Sequence, residues 1–281
     1  MIRFGPSGNS NSFYQAGLKH TTQTPGYLND LGLNAFEYSF GRGVNMRMET
    51  AAEIGKHFSV YDIEVSGHAP YYINFASPLE ENIQKSIDYV KNTSMRIKAM
   101  GGNRCIFHPG SYGKMNREEV LPYTIQNIAK LVEEMYSSGF GDIILCPETM
   151  GKLGQLGTPE EIFEICKLDK MLIPTFDFGH INSRGQGSLN SAEDYRRLID
   201  AIFKNLGDYK AKNIHIHFSK IQYGKSGEIR HLTFEDREYG PEFAPLASII
   251  KEYDMTPRII CESDGTQAED AIEMKQIYES L

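Results

Sequence analysis

The chain has 281 residues, 40% of them hydrophobic and 23% charged, and a formal net charge of −8. That length suits one large α/β barrel without forcing a split, and no apolar stretch approaches the roughly 18 residues that cross a bilayer. The acidic balance excludes broad, nonspecific polyanion binding, which draws its affinity from Lys and Arg set against phosphates; a local ring of basic loops or bound cations still leaves one face open to phosphate.

The opening MIRFGPSGNS lacks the basic start, apolar run and cleavage site of a secretory signal, which predicts a cytoplasmic protein with no membrane role. A first strand, IRFG (2–5), is followed by no GxGxxG, which argues against a dinucleotide fold. NAFEYS (34–39) is the second strand, and the loop after it carries Arg42, a phosphate contact or a solvated charge. DIEVSGH (62–68) ends on His68; Tyr71, Tyr72 and Asn74 follow, placed either to touch a substrate or to cap a barrel.

Residues 78–101 carry Leu79, Ile83, Ile87, Val90 and Ile97 near a 3.6-residue stripe, the spacing of an amphipathic helix. RCIFH (104–108) ends on His108, and a second helix is predicted over 116–139. DIILCPE (142–148) ends on Glu148 and runs into GKLGQLGT (151–158), a loop that offers backbone amides to phosphate or merely connects. LIPTFD (172–177) ends on Asp177, with His180 three residues on. After a third helix over 191–207, NIHIHF (213–218) places His215 and His217 on one face by the period of two, so that both can point inward or one of them can be a supporting or packing residue. The eighth strand, RIICES (258–263), carries Glu262. The four cysteines have no CxxC spacing and read as buried thiols rather than a disulfide framework.

Strands alternating with helices require a parallel sheet, because parallel neighbours need long crossovers. Eight such units in this length predict a (β/α)8 TIM barrel, a single α/β domain over 1–281. Functional groups in such barrels gather at the C-terminal mouth, where His68, His108, Glu148, Asp177, His215 and Glu262 all fall. A lone histidine beside an apolar run is usually structural. Carboxylates converging from strands five, six and eight, however, repel one another unless cations lie between them. The imidazoles shift the expected cation from Mg²⁺ toward Zn²⁺, with Mn²⁺ or Fe²⁺ as alternatives. A pool this large exceeds the roughly four ligands of one zinc ion and suits two or three.

At these residues the chain resembles the endonuclease IV family of apurinic/apyrimidinic endonucleases, within the wider xylose-isomerase-like TIM barrels, in strand order over nearly its whole length. The resemblance implies three zinc ions. His68 and His108 would hold the first; Glu148, the expected catalytic residue, would bridge to a second completed by Asp177, His215 and Glu262; His180 and the loop after strand seven would hold the third. The family's Asp-x-His pair on that loop appears here as GEIRH, so Glu228 and His231 stand one residue further apart, with Asp236 and Glu238 in reserve. The implied activity is zinc-dependent hydrolysis of the phosphodiester 5′ to abasic sites in DNA by a monomer, with Arg42 and Tyr71 as substrate contacts. The competing expectation is a sugar isomerase or epimerase of the same superfamily, working with one Mn²⁺ or Mg²⁺ on the Glu148, Asp177, His215 and Glu262 set.

Overall fold

Each of the eight apolar runs forms a short parallel strand. The computed structural model describes residues 1–41 and 43–281. Its strands are β1 (Arg3–Pro6), β2 (Ala35–Ser39), β3 (Glu64–His68), β4 (Arg104–Phe107), β5 (Ile144–Pro147), β6 (Thr175–Asp177), β7 (His215–Phe218) and β8 (Arg258–Cys261). Hydrogen bonding gives two four-stranded sheets, β2-β3-β4-β5 and β6-β7-β8-β1. Isolated parallel bridges join them, Ser7 to Glu37 at one seam and Leu145 to Leu172 and Glu148 to Thr175 at the other, closing an eight-stranded barrel. β4, β7 and β8 are buried along their whole length, as continuous apolar runs in a doubly covered parallel sheet must be.

Two predicted helices appear at Glu80–Ala99 and Arg117–Ser137. The third, Ala192–Lys212, overruns its expected end: Gly207 leaves helical geometry (φ 72°, ψ 169°), yet the turns resume beyond it. Tertiary anchoring overrides the glycine, since Ala211 is buried and the Lys210 ammonium donates to the Cys166 and Asp169 carbonyls. All four cysteines are buried and unpaired.

The period of two along each strand stacks the barrel interior in layers. At the bottom, Arg258 donates to the Glu64 carboxylate and to the Val65 carbonyl, and Arg104 to the Ile214 and Asn213 carbonyls, so the strand starts are tied by guanidinium groups. Glu37, Ser66 and His215 form a polar middle layer, each fully buried. His68, Glu148, Asp177, His217 and Glu262 lie above it at the mouth.

Candidate metal centre

Glu148 is the hub. At the end of β5 and fully buried, it faces imidazoles from three other strands: His68 Nε2 lies 3.0 Å from Oε2, His108 Nε2 3.2 Å from the same oxygen, and His217 Nδ1 3.0 Å from Oε1. His217 Nδ1 is also 3.4 Å from Glu262 Oε2. Asp177 caps the short helix Phe178–Arg184 by accepting the His180 amide on Oδ1 at 2.7 Å. Its other oxygen, Oδ2, is buried without a hydrogen-bond partner and points at this cluster, 3.3 Å from His180 Nδ1. A buried carboxylate oxygen left unpaired is costly, and a cation is the partner that removes the cost.

A further group forms beside it. His180 Nε2 lies 3.4 Å from Glu228 Oε2, and the His180 and His231 rings are 5.6 Å apart. Glu228 and His231 arrive on a hairpin, Ile221–Gly224 paired with Gly227–His231. Residues three apart on a regular strand face opposite sides. Here the pairing runs Tyr223 to Glu228 and then Gln222 to Arg230, so Ile229 is an extra, bulged residue, and beyond the bulge His231 returns to the face of Glu228. The extra residue in GEIRH is thus absorbed. The hairpin turns at Gly227 (φ 92°), where a Cβ would strike the Gly151 carbonyl, and docks against the loop after β5 through the Glu228 amide to the Gly151 carbonyl at 3.2 Å.

Potential ligand atoms therefore fall into linked groups, each within 4.8 Å: His68, Glu148 and His217; Glu148, Asp177, His217 and Glu262; His180, Glu228 and His231; and, one layer deeper, Glu37, His215 and His217. His108 joins the first through Glu148. The donor mix of imidazole and carboxylate suits a transition-series dication. Ring orientation fits as well. His68 Nδ1 contacts the Ala69 carbonyl at 2.8 Å and His180 Nδ1 the Thr149 carbonyl at 2.9 Å, so each proton belongs on Nδ1 and each Nε2 is left free to ligate.

The electrostatics match a cation site. Burial opposes charge at both Glu148 and His68, yet the hydrogen bond and charge of Glu148 push His68 up to about 9. The charge of His217 and hydrogen bonds from His108, His180 and His217 hold Glu148 well below the usual carboxylate range. Burial prevails at His108, which is lowered, and at Glu262, which is raised. A cluster that recruits protons onto buried imidazoles to balance its carboxylates carries the field that a metal ion would satisfy.

His215, the strand-seven residue to which the resemblance points, is not brought to the mouth. It sits one layer deeper, with Nε2 3.0 Å from Glu37 Oε2, and burial lowers it to about 3; His217 takes the position beside Glu148. Tyr71 is 64% exposed on the rim, where it lines the cavity. Arg42, the other expected substrate contact, lies outside the described residues. Within the loop 151–158 the amides of Leu153 and Gln155 donate to protein carbonyls and those of Gly157 and Thr158 to the Glu161 carboxylate, and Arg184 donates to the Lys152 and Gln155 carbonyls. Sequence reasoning missed Glu37, whose carboxylate within NAFEYS resembles the polar half of an ordinary alternating strand.

The cavity above these side chains holds about 380 Å³ and is walled by Ser39, Gly41, Tyr71, Met150, Lys152 and Gln155 as well as the candidate ligands. Through Ser39, Gly41 and Tyr71 it continues into a groove of about 1060 Å³ flanked by Lys19, His20 and Thr22.

An eight-stranded parallel barrel with a cluster of histidines and carboxylates at its C-terminal mouth defines an α/β-barrel protein with a candidate metal centre. Residues 26–278 match the family model described as xylose isomerase-like TIM barrel, and the chain belongs to that family. Over 254 residues, 90% of each chain, it is 31% identical to an uncharacterized protein of Methanocaldococcus jannaschii. Over 191 residues, 66% of this chain and 63% of the relative, it is 28% identical to a probable endonuclease 4 of Acholeplasma laidlawii. Among solved structures, endonuclease IV from Thermus thermophilus superposes with a TM-score of 0.72 at 16% identity, covering 99% of this chain and 98% of that one. A D-tagatose 3-epimerase-like protein superposes with 0.71 at 20%, covering 99% and 96%. At those identities the superpositions speak for the fold alone. Among the described residues, no helix is long and apolar enough to cross a membrane.

Proposed function

We propose that this chain is a zinc-dependent phosphodiesterase that hydrolyses DNA on the 5′ side of abasic sites. The observation that carries this reading is the His180, Glu228 and His231 group beside the groups centred on Glu148. A single-ion isomerase needs one carboxylate-rich set and has no use for a second imidazole-rich one. The endonuclease 4 relatives support the same reading from sequence, and the groove continuing from the cavity past Ser39, Gly41 and Tyr71 gives room for a polymer to extend from the reacting bond.

Zinc held in these groups supplies Lewis acidity toward phosphoryl oxygens and lowers the pKa of water from about 15.7 toward 7. Within that frame Glu148, with His68 and His108 nitrogens facing one oxygen and His217 Nδ1 the other, would share ions with these imidazoles and so fix their spacing. His231, whose Nδ1 lies 2.8 Å from the Ser219 hydroxyl, is oriented toward His180 at the side of the cavity where a leaving oxygen's charge would develop. Lys152 on the wall offers a positive charge to a phosphate. An abasic nucleotide has lost its base stacking, so drawing it into the cavity costs less than extruding an intact one.

The test is nicking of duplex DNA carrying one tetrahydrofuran abasic analogue by zinc-loaded and chelator-stripped protein. The analogue cannot undergo β-elimination, so zinc-dependent nicking 5′ to it is hydrolysis and supports the proposal; metal-loaded protein that leaves it intact sinks it. A second reading, a metal-dependent sugar isomerase or epimerase, draws on the compact Glu148, Asp177, His217 and Glu262 set, and turnover of a ketose panel would favour it.

A further inference from the structure

Glu37 is a fully buried carboxylate deep in the barrel, and among the described residues no lysine or arginine forms an ion pair with it. Such a charge is expensive to bury, and its neighbours define what balances it. Ser66 Oγ donates to Oε2 at 2.9 Å; His215 Nε2 lies 3.0 Å from the same oxygen and His217 Nε2 2.9 Å from Oε1, both as close charge contacts without hydrogen-bond alignment. The other nitrogen of His217, Nδ1, faces Glu148 and Glu262 at the mouth. The same ring therefore touches a buried carboxylate below and the candidate metal ligands above.

We propose that Glu37 is a positioning residue for the metal centre: it holds the His217 proton on Nε2, so that the Nδ1 lone pair is presented to the ion shared with Glu148, Asp177 and Glu262. The inference rests on the metal-centre reading above. His68 and His180 have their tautomers set by backbone carbonyls. His217 has no backbone carbonyl in that place but the Glu37 carboxylate at 2.9 Å, closer than the 3.3 Å from Asp177 to His180 Nδ1, and a carboxylate there makes the ring a stronger electron donor. Ser66 and His215 hold Glu37 in register, which gives a role to the first histidine of NIHIHF: His215 steadies the carboxylate rather than ligating.

The test measures zinc binding by competition with a chromogenic chelator, which needs no substrate, in wild type, Glu37→Gln and Ser66→Ala. Glu37→Gln is expected to weaken the tightest-bound ion about 10- to 100-fold, the usual loss for an outer-shell partner, without changing the number bound at saturation. Ser66→Ala should shift it less in the same direction, and it carries the comparison if Glu37→Gln does not fold. Nitrogen-15 spectra of histidine-labelled, zinc-loaded wild type should place the His217 proton on Nε2, the signal being identified by its loss in His217→Asn. Affinity unchanged within about twofold in both variants, or a proton on Nδ1, overturns the proposal. So does loss of a whole ion from Glu37→Gln at saturating zinc, which would make Glu37 a ligand itself. Wild type that binds no divalent metal overturns the metal-centre reading instead, so the two failures are distinguishable.

Discussion

Glu148 accepts from imidazoles on both oxygens, so replacing it removes more than one charge. Glu148→Gln keeps the volume and the fold, but an amide cannot serve several cations and imidazoles at once. The expected loss of nicking exceeds the roughly 10- to 100-fold that removal of an outer-shell partner brings, with unchanged circular dichroism; an active variant would remove Glu148 from its bridging role. The same contacts make metal-free stability depend on pH. His68 is raised from 6.5 to about 9, so its contribution is complete below pH 6.5 and disappears as pH rises through about 9. Glu148 is held well below 4.5, so its contribution is present above that value and is lost as pH falls through the depressed one. Calorimetry in chelator should therefore show a melting temperature that declines between pH 6.5 and 9 and again in acid, and Glu148→Gln should flatten the alkaline decline.

At the scale of elements, on the proposed reading the hairpin strand Gly227–His231 would decide whether a third ion is held. His231→Ala should cost one ion by elemental analysis while the others remain; an unchanged count would show that His231 is no ligand. Because the bulge at Ile229 corrects the facing of His231, deleting Ile229 should straighten the strand and keep the third ion. Inserting a further residue there should turn His231 away and lose it. These cases mark where the sequence was legible. All eight strands and the ends carrying His68, His108, Glu148, Asp177 and Glu262 follow from apolar runs and the period of two. The same period makes His215 and His217 equivalent, and only the relative stagger of neighbouring strands decides which reaches the mouth. Glu37 was hidden for a related reason, since local pattern does not tell a residue facing water from one facing a buried imidazole across the barrel. The joining of Glu228 to His180 depends on how a hairpin docks, which lies outside any short-range pattern.

Across the whole molecule, the candidate ligands are shared between the two sheets. His68, His108 and Glu148 end strands of one sheet; Asp177 and His217 end strands of the other, which is followed by Glu262. Metal binding should therefore stabilise the native state by the usual linkage, about 2.7 kcal/mol for each ion at a hundredfold excess over its Kd. Chelation should lower the melting temperature, and an unchanged melt would separate the ions from the fold. The seams between the sheets rest on isolated bridges rather than full ladders, and the metal groups span the Glu148 seam. Ions placed there act as rivets across a joint. Amide exchange in metal-stripped protein should quicken first around Leu145, Leu172 and Thr175, so that the ease with which the two halves part would follow the occupancy of the joint between them.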